Sequence, residues 1–303
     1  HGGYAKKGQG AGQAGKAVGQ RWSAGSQICR SCGGSAANTI IASAQLGAKT
    51  FYSCKVANDE TGDFYSKDLE SKGVSSNLTS GRFDGTTGKC MVFVTPDADR
   101  TMNTYLGITA SFSKEQIIDE NLINSDWLYI EGYLVTGDSG KAAAIHAREV
   151  AQANNVKVAL TFSDPGIVGF FKDGFKQMIG DEKIDLLFCN DAEAMSYTET
   201  ESVDEAFEAL KKVANTFAIT VGAKGAVIFD GEGRQEVAGV KADAVDTNGA
   251  GDLFAGAFLY GITNGLSYKQ SGELACACSA QLVTQFGPRL EKTQSQDILK
   301  KVL

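Results

Sequence analysis

Long apolar runs and an excess of basic charge are both missing from this 303-residue sequence. No apolar run reaches the roughly 20 residues that a membrane-spanning helix needs, and the first thirty residues lack the apolar centre of a signal peptide. The formal net charge is −7, so the chain offers no broad basic face to nucleic acid or to an anionic membrane. We therefore expect a cytoplasmic protein whose partners are small molecules, with neither nucleic acid nor membrane among them.

Cysteine and histidine patterns that hold disulfides or metals are also lacking. Seven cysteines are scattered along the chain without the spacing of a disulfide scaffold. Cys29-x-x-Cys32 has no second pair, so we expect reduced thiols in place of a zinc site. His146 lies among alanines of a predicted helix, where packing explains it better than a ligand role does.

Residues 1–32 lack what a buried strand requires. They hold eight glycines by position 25 and only Val18 and Ile28 as branched aliphatic residues. Such a composition cannot build a core strand. We interpret the segment as a disordered tail, or as misidentified residues, standing where a first strand is expected.

Residues 10–17 match two nucleotide-binding motifs, but only in part. The string GAGQAG at 10–15 fits a dinucleotide fingerprint, which would make the chain an oxidoreductase. No apolar strand precedes the string, however, and the first acidic residue of the chain is Asp59. The same residues nearly form a phosphate-binding P-loop, but Ala17 occupies the position of the required hydroxyl. Both matches are chance products of glycine-rich composition.

From residue 33 onward, apolar segments of strand length alternate with segments of helical period. This alternation predicts one α/β domain over 33–303, with a doubly wound, mainly parallel sheet flanked by helices. Ligands of such sheets bind beyond the carboxyl ends of the strands. The predicted strands are 51–56, 89–94, 127–131, 156–162, 185–189, 217–221 and 226–230. The predicted helices are 36–46, 60–72, 114–123, 138–153, 203–215, 250–263, 267–285 and 294–302.

Residues 82–106 break this rhythm. They read as strand, turn and strand around Pro96-Asp97, with no helix between the two strands. We therefore expect a small β flap at this place.

The stretch DAVDTNGAGDLFAGAFLYG at 243–261 carries the strongest sign of chemistry. Gly249 and Gly251 flank Ala250 where a helix is predicted to begin, so their amides can converge without side chains in the way. Amides at a helix N-terminus, together with the helix dipole, form an anion-binding cradle. Asp252 then projects beside the cradle. The alternative is that Asp252 only stabilises the helix end by its charge.

The string DTNGAGD followed by FAGAF resembles the carboxyl-terminal signature of the PfkB family, which includes ribokinase, fructokinase and adenosine kinase. The resemblance implies a ribokinase-like fold with a small β lid, and transfer of the γ-phosphoryl group from ATP to a sugar or ribonucleoside hydroxyl. In that family the final aspartate, here Asp252, accepts the proton of the hydroxyl. The amides of Gly249, Ala250 and Gly251 hold the transferred group. Phosphoryl transfer depends mainly on alignment and charge stabilisation, which such residues supply.

A second match lies at 189–195, CNDAEAM, just after a predicted strand. Asn190-x-x-Glu193 resembles the family's NxxE element, so Asn190 is expected near ATP and Glu193 near Mg²⁺, through water. One carboxylate suffices, because Mg²⁺ keeps several of its waters. The alternative is an asparagine helix cap beside acids that face solvent.

The TVGAKG stretch at 220–225 resembles the family's nucleotide loop. Its glycines let the backbone approach a nucleotide closely, and its threonine and lysine are candidates for phosphate contacts. A tight β-turn is the alternative. The predicted helix at 267–285 would place Cys278 beside the adenine, unless that side chain belongs to the core. The expected ATP-binding residues are thus Asn190, Thr220, Gly222, Lys224, Gly225 and Cys278.

The substrate side resembles the family's amino-terminal signature, which begins with GGSAAN at 33–38. By that resemblance Gly34 lets a sugar approach and Asn38 contacts its hydroxyls, although an asparagine early in a helix is often a local cap. Glu131 ends a predicted strand and is a further candidate for binding a hydroxyl. Arg100 belongs to 82–106, which would form part of the lid.

Two family features remain open in this sequence. No residue before Gly33 supplies the family's first strand or its sugar-binding aspartate, and misidentified residues in the tail would explain this. Asp246 is a candidate ligand for the K⁺ ion that activates relatives, or else a cap of its turn.

Two functional alternatives follow. RTMNTYLGITASF at 100–112 resembles the adenosine-kinase-like branch, so adenosine kinase is one specific alternative. A non-catalytic sensor of sugars or nucleosides is the alternative of another class, and the intact Asp252 argues against it. ATP is the expected donor, since the relatives that use ADP differ in overall sequence. The chain is expected to be a monomer or a homodimer.

Overall fold

The structure, a computed structural model, describes residues 30–94 and 100–302, with the backbone alone for Arg100. The interpretation of residues 1–32 therefore falls outside the described residues except for its last three positions. The predicted turn around Pro96-Asp97 and the side chain of Arg100 lie outside them as well.

The described strands form one large sheet and two small ones. The strands are β1 (Phe51–Tyr52), β2 (Ser75–Ser76), β3 (Thr87–Val94), β4 (Arg100–Gly107), β5 (Trp127–Ile130), β6 (Lys157–Thr161), β7 (Ile184–Asn190), β8 (Ala214–Thr220), β9 (Gly225–Phe229) and β10 (Arg234–Ala238). The large sheet has the order β5-β6-β7-β8-β9-β10; β5 to β8 are parallel, and β9 and β10 are antiparallel to their neighbours. The predicted mainly parallel sheet is thus confirmed.

Helices connect and cover these strands. Four predicted helices, 36–46, 60–72, 138–153 and 250–263, agree with the structure to within one residue at each end. The described helices are α1 (Ser35–Leu46), α2 (Glu60–Ser71), α3 (Asp119–Ile123), α4 (Asp138–Ala153), α5 (Pro165–Phe170), α6 (Lys172–Ile179), α7 (Asp191–Thr198), α8 (Val203–Leu210), α9 (Ala250–Thr263), α10 (Tyr268–Leu282) and α11 (Lys292–Val302).

Several boundaries differ from the prediction for local reasons. The helix predicted at 114–123 is divided, because an extended pair of isoleucines separates a 3₁₀ turn at Lys114–Gln116 from α3. The helix predicted at 203–215 ends at Leu210, since β8 begins at Ala214. Helices α5, α6 and α7 and strand β10 were not predicted.

The large sheet is covered on both faces, as a doubly wound fold requires. Along β5 the side chains alternate, so that Leu128 and Ile130 face one core while Trp127 and Tyr129 face the other. Helices α4 to α8 pack on the first face, and α1, α9, α10 and α11 pack on the second.

The site depends on a close crossing of α1 and α9. Gly256 allows it, because a Cβ atom there would overlap the carbonyl oxygen of Thr39 and lie 2.8 Å from the Cβ of Ala42. Ser43 Oγ also donates a hydrogen bond of 2.7 Å to the carbonyl oxygen of Gly256. Backbone contact between the two helices fixes the relative placement of their N-terminal turns.

Strands β3 and β4 pair with each other as an antiparallel hairpin, separate from the large sheet. This pairing agrees with the strand-turn-strand pattern predicted at 82–106. Several of its apolar side chains are exposed, among them Met91, Met102, Tyr105 and Leu106. Within 30–94 and 100–302, no helix combines the length and apolar character needed to span a bilayer.

Candidate active site

The site is built around the first turn of α9. Gly249 caps this helix with φ 78°, in the left-handed region that glycine adopts without strain. A Cβ atom at this position would lie 2.6 Å from the carbonyl oxygen of Pro288, so the loop needs glycine for space as well. A Cβ atom at Gly251 would meet no atom within 4 Å. The first turn therefore faces open space, where its amides and the helix dipole favour an anion.

The three amides predicted to form the cradle are not equivalent. The Ala250 amide donates a long hydrogen bond of 3.3 Å to the carbonyl oxygen of Thr247, within the turn itself. The carbonyl of Gly249 accepts a bond of 2.8 Å from the Leu253 amide, which starts the helical pattern. An anion in the cradle would compete with Thr247 for the Ala250 amide.

Asp246 is buried beneath this loop, and both of its carboxylate oxygens accept backbone hydrogen bonds. Oδ1 accepts from the Asn248 amide at 2.9 Å and Oδ2 accepts from the Gly287 amide at 3.0 Å. Asp246 thus joins the loop before α9 to the segment around Gly287. Such contacts are those of a turn cap, one of the two roles considered for this residue.

The carboxylate of Asp252 lies against the N-terminal turn of α1. It accepts hydrogen bonds from Ser35 Oγ at 2.7 Å and from Asn38 Nδ2 at 2.9 Å. The GGSAAN motif predicts that Asn38 contacts the substrate, whereas the structure places its amide group against Asp252. Ser35 was not singled out, although it lies inside the GGSAAN motif.

Arg289 is a further residue that sequence reasoning missed. Its Nε donates to Asn38 Oδ1 at 3.0 Å, and its Nη1 lies 3.3 Å from Oδ2 of Asp68 on α2. Its Nη2 donates to the carbonyl oxygen of Cys32. The GPRL string that carries Arg289 matches no motif quoted above, so only the folded chain reveals this contact.

Glu131 lies at the carboxyl end of β5, beside the start of α1. Its Oε2 accepts a hydrogen bond of 2.8 Å from the Ala36 amide. Burial raises the pKa of its carboxyl group, and the negative charge of Asp252 adds to the rise. Gly34, with φ 107°, caps α1 next to it, and a Cβ atom there would come no closer than 4.0 Å to any neighbour, Tyr52 Oη.

Asn190 and Glu193 form a reciprocal capping box at the start of α7. The Glu193 oxygens accept from the Asn190 amide at 3.0 Å and from Asn190 Nδ2 at 2.9 Å. Burial raises the pKa of Glu193 to about 7, with added contributions from the charges of Asp164, Asp191 and Asp252. This buried carboxyl group therefore lies in an electronegative region, where a cation would be favoured.

The donor set around Glu193 fits Mg²⁺. One carboxylate and an amide oxygen suffice for an ion that keeps most of its waters and takes further ligands from phosphates. Across the described residues, no group of three or more histidine, cysteine, aspartate or glutamate side chains is arranged to hold a metal.

The predicted nucleotide loop adjoins this corner of the sheet. Thr220 is the register partner of Asn190 across the β7–β8 pair. Gly222 and Gly225 have φ of 59° and 104°, and the amide of Val221 donates to the carbonyl of Gly225 at 2.8 Å, which makes a tight turn. Lys224, within that turn, is exposed.

Cys278 does not reach any ligand-accessible surface. Its side chain is fully buried in the core between α10 and the large sheet. The packing alternative therefore holds for Cys278, and its assignment to the adenine pocket is corrected.

One large cleft of about 3530 Å³ joins most of the predicted site residues. It lies at the carboxyl edge of the sheet and is bounded on one side by the β3–β4 hairpin. The residues that line it include Gly34, Asn38, Glu131, Asn190, Glu193, Asp246, Gly249, Ala250, Gly251 and Asp252. Thr220, Gly222, Lys224 and Gly225 are not among its lining residues.

Comparison with known proteins matches residues 17–294 to the family described as pfkB family carbohydrate kinase. The structure of adenosine kinase from Sinorhizobium meliloti superposes with a TM-score of 0.84 at 34% identity, covering 89% of this chain and 83% of that one. Adenosine kinase from Saccharomyces cerevisiae is 28% identical over 273 residues, 84% of this chain and 78% of that protein. A protein from E. coli assigned as ribokinase II, solved with ATP and Mg²⁺, shares the fold with a TM-score of 0.80 at 19% identity, covering 93% and 94% of the two chains.

Proposed function

The chain belongs to the pfkB family of carbohydrate kinases, and we propose that it transfers the γ-phosphoryl group of ATP to a hydroxyl group of a sugar or a ribonucleoside. The observation that carries this proposal is the position of Asp252. Its carboxylate is held by two donors from α1, beside a glycine-capped helix end that faces the cleft. Kinases of this family use ATP with Mg²⁺.

Asp252 acts as the general base in the proposed reaction. The acceptor hydroxyl donates a hydrogen bond to the carboxylate and loses its proton to it as the new O–P bond forms. The bond between the γ-phosphorus and the bridging oxygen breaks, and ADP leaves. The hydrogen bonds from Ser35 and Asn38 keep the carboxylate in one orientation, which reduces the entropy cost of alignment.

The first turn of α9 stabilises the charge on the transferred group. Amides of Gly249, Ala250 and Gly251 are proposed to donate to the phosphoryl oxygens, whose charge is spread out in the transition state. The open space in front of Gly251 leaves room for this group.

The remaining assignments follow the family pattern. Glu193 is proposed to hold Mg²⁺ through water, with Asn190 near ATP, and the ion would neutralise charge on the phosphates. Thr220, Gly222, Lys224 and Gly225 are proposed to contact ATP. Asp246 is the candidate K⁺ ligand, and its two backbone hydrogen bonds already give it a structural role.

Gly34 and Glu131 are proposed to face the acceptor, and Arg100 to approach it from the β3–β4 hairpin. This hairpin, within 82–106, is proposed to close over the substrate as a lid. Closure would exclude water, which otherwise competes with the acceptor for the phosphoryl group.

Adenosine kinase activity is the more specific candidate. The match to the adenosine kinase of Sinorhizobium meliloti favours it, as do aromatic side chains on the acceptor side of the cleft. Tyr52, Phe64, Tyr65 and Tyr133 line that side, and aromatic rings offer stacking surfaces to a purine base.

A panel of acceptors with MgATP tests these proposals. Ribose, fructose, adenosine and inosine are compared, each with and without K⁺, and the phosphorylated product is measured. We expect a product with at least one acceptor, and adenosine is expected to give the highest kcat/KM. Binding of these compounds without any phosphoryl transfer would instead identify a sensor.

The role of Asp252 is tested by Asp252→Asn, which keeps the shape of the side chain but removes its negative charge and its ability to accept a proton. We expect kcat to fall by about 10² or more, with ATP binding and thermal stability retained. Asp243→Asn is the matched control, because Asp243 is an exposed acid of the same segment. Turnover within about twofold of the control in Asp252→Asn would remove Asp252 from the role of base.

A further inference from the structure

We propose that Arg289 is a positioning residue for Asp252 and that it acts through the side chain of Asn38. This inference rests on the proposed role of Asp252 as the base. Arg289 lies 37 positions beyond Asp252 in the sequence, and its guanidinium group bonds to the side chain of Asn38, to Asp68 and to the carbonyl oxygen of Cys32.

The chemistry of the three side chains permits one orientation of Asn38. A guanidinium group has only donors and an ionised carboxylate only acceptors, whereas an asparagine amide has an acceptor oxygen at one end and a donor NH₂ group at the other. Arg289 Nε donates at 3.0 Å to Oδ1 of Asn38, so Nδ2 must point the other way. There it donates at 2.9 Å to Oδ2 of Asp252. Arg289 and Asp252 thus require the same orientation of the Asn38 amide, and Arg289 holds that amide in place from the side opposite the carboxylate.

The guanidinium group is itself fixed by two further partners. Its Nη1 pairs with Asp68 on α2, and its Nη2 donates to the carbonyl of Cys32, which precedes α1. The side chains of Arg289 and Asp68 are only 8% and 18% exposed. A planar fork held on three segments cannot rotate without losing several charge-assisted bonds.

The two residues before Arg289 contact the loop that leads into α9. The amide of Gly287 donates to Asp246, and the carbonyl of Pro288 abuts Gly249. One short segment, 287–289, therefore contacts both the loop before α9 and the asparagine that bonds to Asp252.

Loss of the guanidinium group would free the Asn38 amide to rotate. Such movement would turn Nδ2 of Asn38 away from Oδ2 of Asp252, so that the carboxylate loses this donor. The hydrogen bond from Ser35 Oγ to Oδ1 of Asp252 would remain. The base would be less well aligned with the acceptor hydroxyl, and small misalignments at the reacting group cost large factors in rate.

Arg289→Met tests the proposal, with Arg148→Met as the matched control. Arg148 has a similar side-chain exposure, 10% against 8%, and its side-chain partners are Glu149 and Gln152 on its own helix, α4. With adenosine and MgATP, or ribose where the panel shows ribose as the acceptor, we expect kcat to fall about tenfold or more in Arg289→Met. The KM for ATP is expected to stay within about twofold, and kcat of Arg148→Met to stay near that of the wild type. A kcat that matches the control overturns the proposal.

A double-mutant cycle separates action through Asn38 from a general structural effect. In an Asn38→Ala background, Arg289→Met is expected to change kcat by less than about twofold, because the intermediary is already gone. Losses that add in full would overturn the proposal. Should Arg289→Met fail to fold, Arg289→Lys replaces it, since lysine keeps the charge near Asp68 but cannot bond to three groups in one plane. Reduced kcat in folded Arg289→Lys supports the inference, and unchanged kcat overturns it.

The Asp252→Asn variant shows whether a negative result contradicts the proposed function or only the inference about Arg289. If that variant keeps its turnover, the proposed function of Asp252 is wrong and the inference falls with it. If Asp252→Asn loses turnover while Arg289→Met keeps it, only the inference about Arg289 is wrong.

Discussion

At the scale of single residues, Glu193 has the most informative protonation equilibrium. Burial, with nearby acids, raises the pKa of its carboxyl group in the folded chain from 4.5 to about 7. Between these values the folded state holds a proton that the unfolded state has released. The unfolded state binds fewer protons there, so the free energy of unfolding falls as pH rises through this window.

This sign gives a prediction for the metal-free protein. From pH 4.5 to pH 7 in a chelator, Glu193 is expected to lower the free energy of unfolding by roughly 1–3 kcal/mol. Urea denaturation of the wild type and of Glu193→Gln measures the effect, and the variant is expected to show a smaller decrease. Equal decreases in the two proteins would contradict the raised pKa. Mg²⁺ at pH 7 is expected to stabilise the wild type more than the variant.

The sequence predicts some residues of the site much better than others. Asp252 and Gly249 are found from local spacing, because a glycine-capped helix followed by an acid is a short-range pattern. Arg289 is not, since its partner Asn38 lies 251 positions away. Cys278 shows the opposite difficulty, because a small residue on a helix reads alike in a pocket and in a core.

At the scale of elements, the crossing of α1 and α9 sets the distance between Asp252 and its donors. Gly256→Ala would place a methyl group over the Thr39 carbonyl and 2.8 Å from the Cβ of Ala42. Backbone atoms cannot rotate away, so the helices must separate. We expect a loss of about 1–3 kcal/mol in unfolding free energy, together with a lower kcat as Ser35 and Asn38 withdraw from Asp252.

A helical glycine with space around it provides the control for that variant. At Gly169 in α5, a Cβ atom would meet only Ser196 Oγ, at 3.7 Å, an ordinary contact. Gly169→Ala is expected to leave stability equal or to raise it by up to about 1 kcal/mol, since alanine favours helix. Urea denaturation and kcat are measured for both variants. If Gly256→Ala behaves like Gly169→Ala, the close crossing does not set the site.

Short helices are harder to predict from the sequence than long ones. Helices α1, α4 and α9 have 12 to 16 residues, a length that favours helix over strand. Helices α5, α6 and α7 have six to eight residues, a length that strands share. Helix α8 also has eight residues, but it lies within the longer helix predicted at 203–215. Asp164-Pro165 at the start of α5 was a usable cap signal. Strand β10, RQEVA at the sheet edge, buries only Val237 and so lacks an apolar run.

At the scale of the whole molecule, the alternation of strands and helices predicts the parallel sheet and, from it, ligands beyond the carboxyl ends of the strands. The sheet order and the width of the cleft do not follow from local pattern, because they depend on packing between distant segments. The β3–β4 hairpin is predicted by the sequence only in part. Its strand-turn-strand pattern is readable, but its separation from the large sheet is seen only in the fold.

That separation allows a direct test of the proposed lid. Thr87 and Gly107 are register partners at the base of the hairpin, so their backbones already lie side by side. Residues 88–106 can therefore be replaced by a two-residue Asn-Gly turn of the kind that closes tight hairpins. Because β3 and β4 pair only with each other among the described strands, the shortened chain is expected to fold with a stability close to that of the wild type.

Removal of the hairpin is expected to change the ratio of the two possible reactions of ATP. Without the hairpin the cleft stays open to water, so the ratio of ATP hydrolysis to acceptor phosphorylation should rise, and the KM for the acceptor should rise with it. The KM for ATP should change less, since the proposed Mg²⁺ and phosphate contacts come from α7 and α9. Both products are quantified in one reaction, and wild-type protein without acceptor gives the basal hydrolysis. An unchanged product ratio in a folded variant would mean that β3 and β4 do not shield the reacting phosphoryl group.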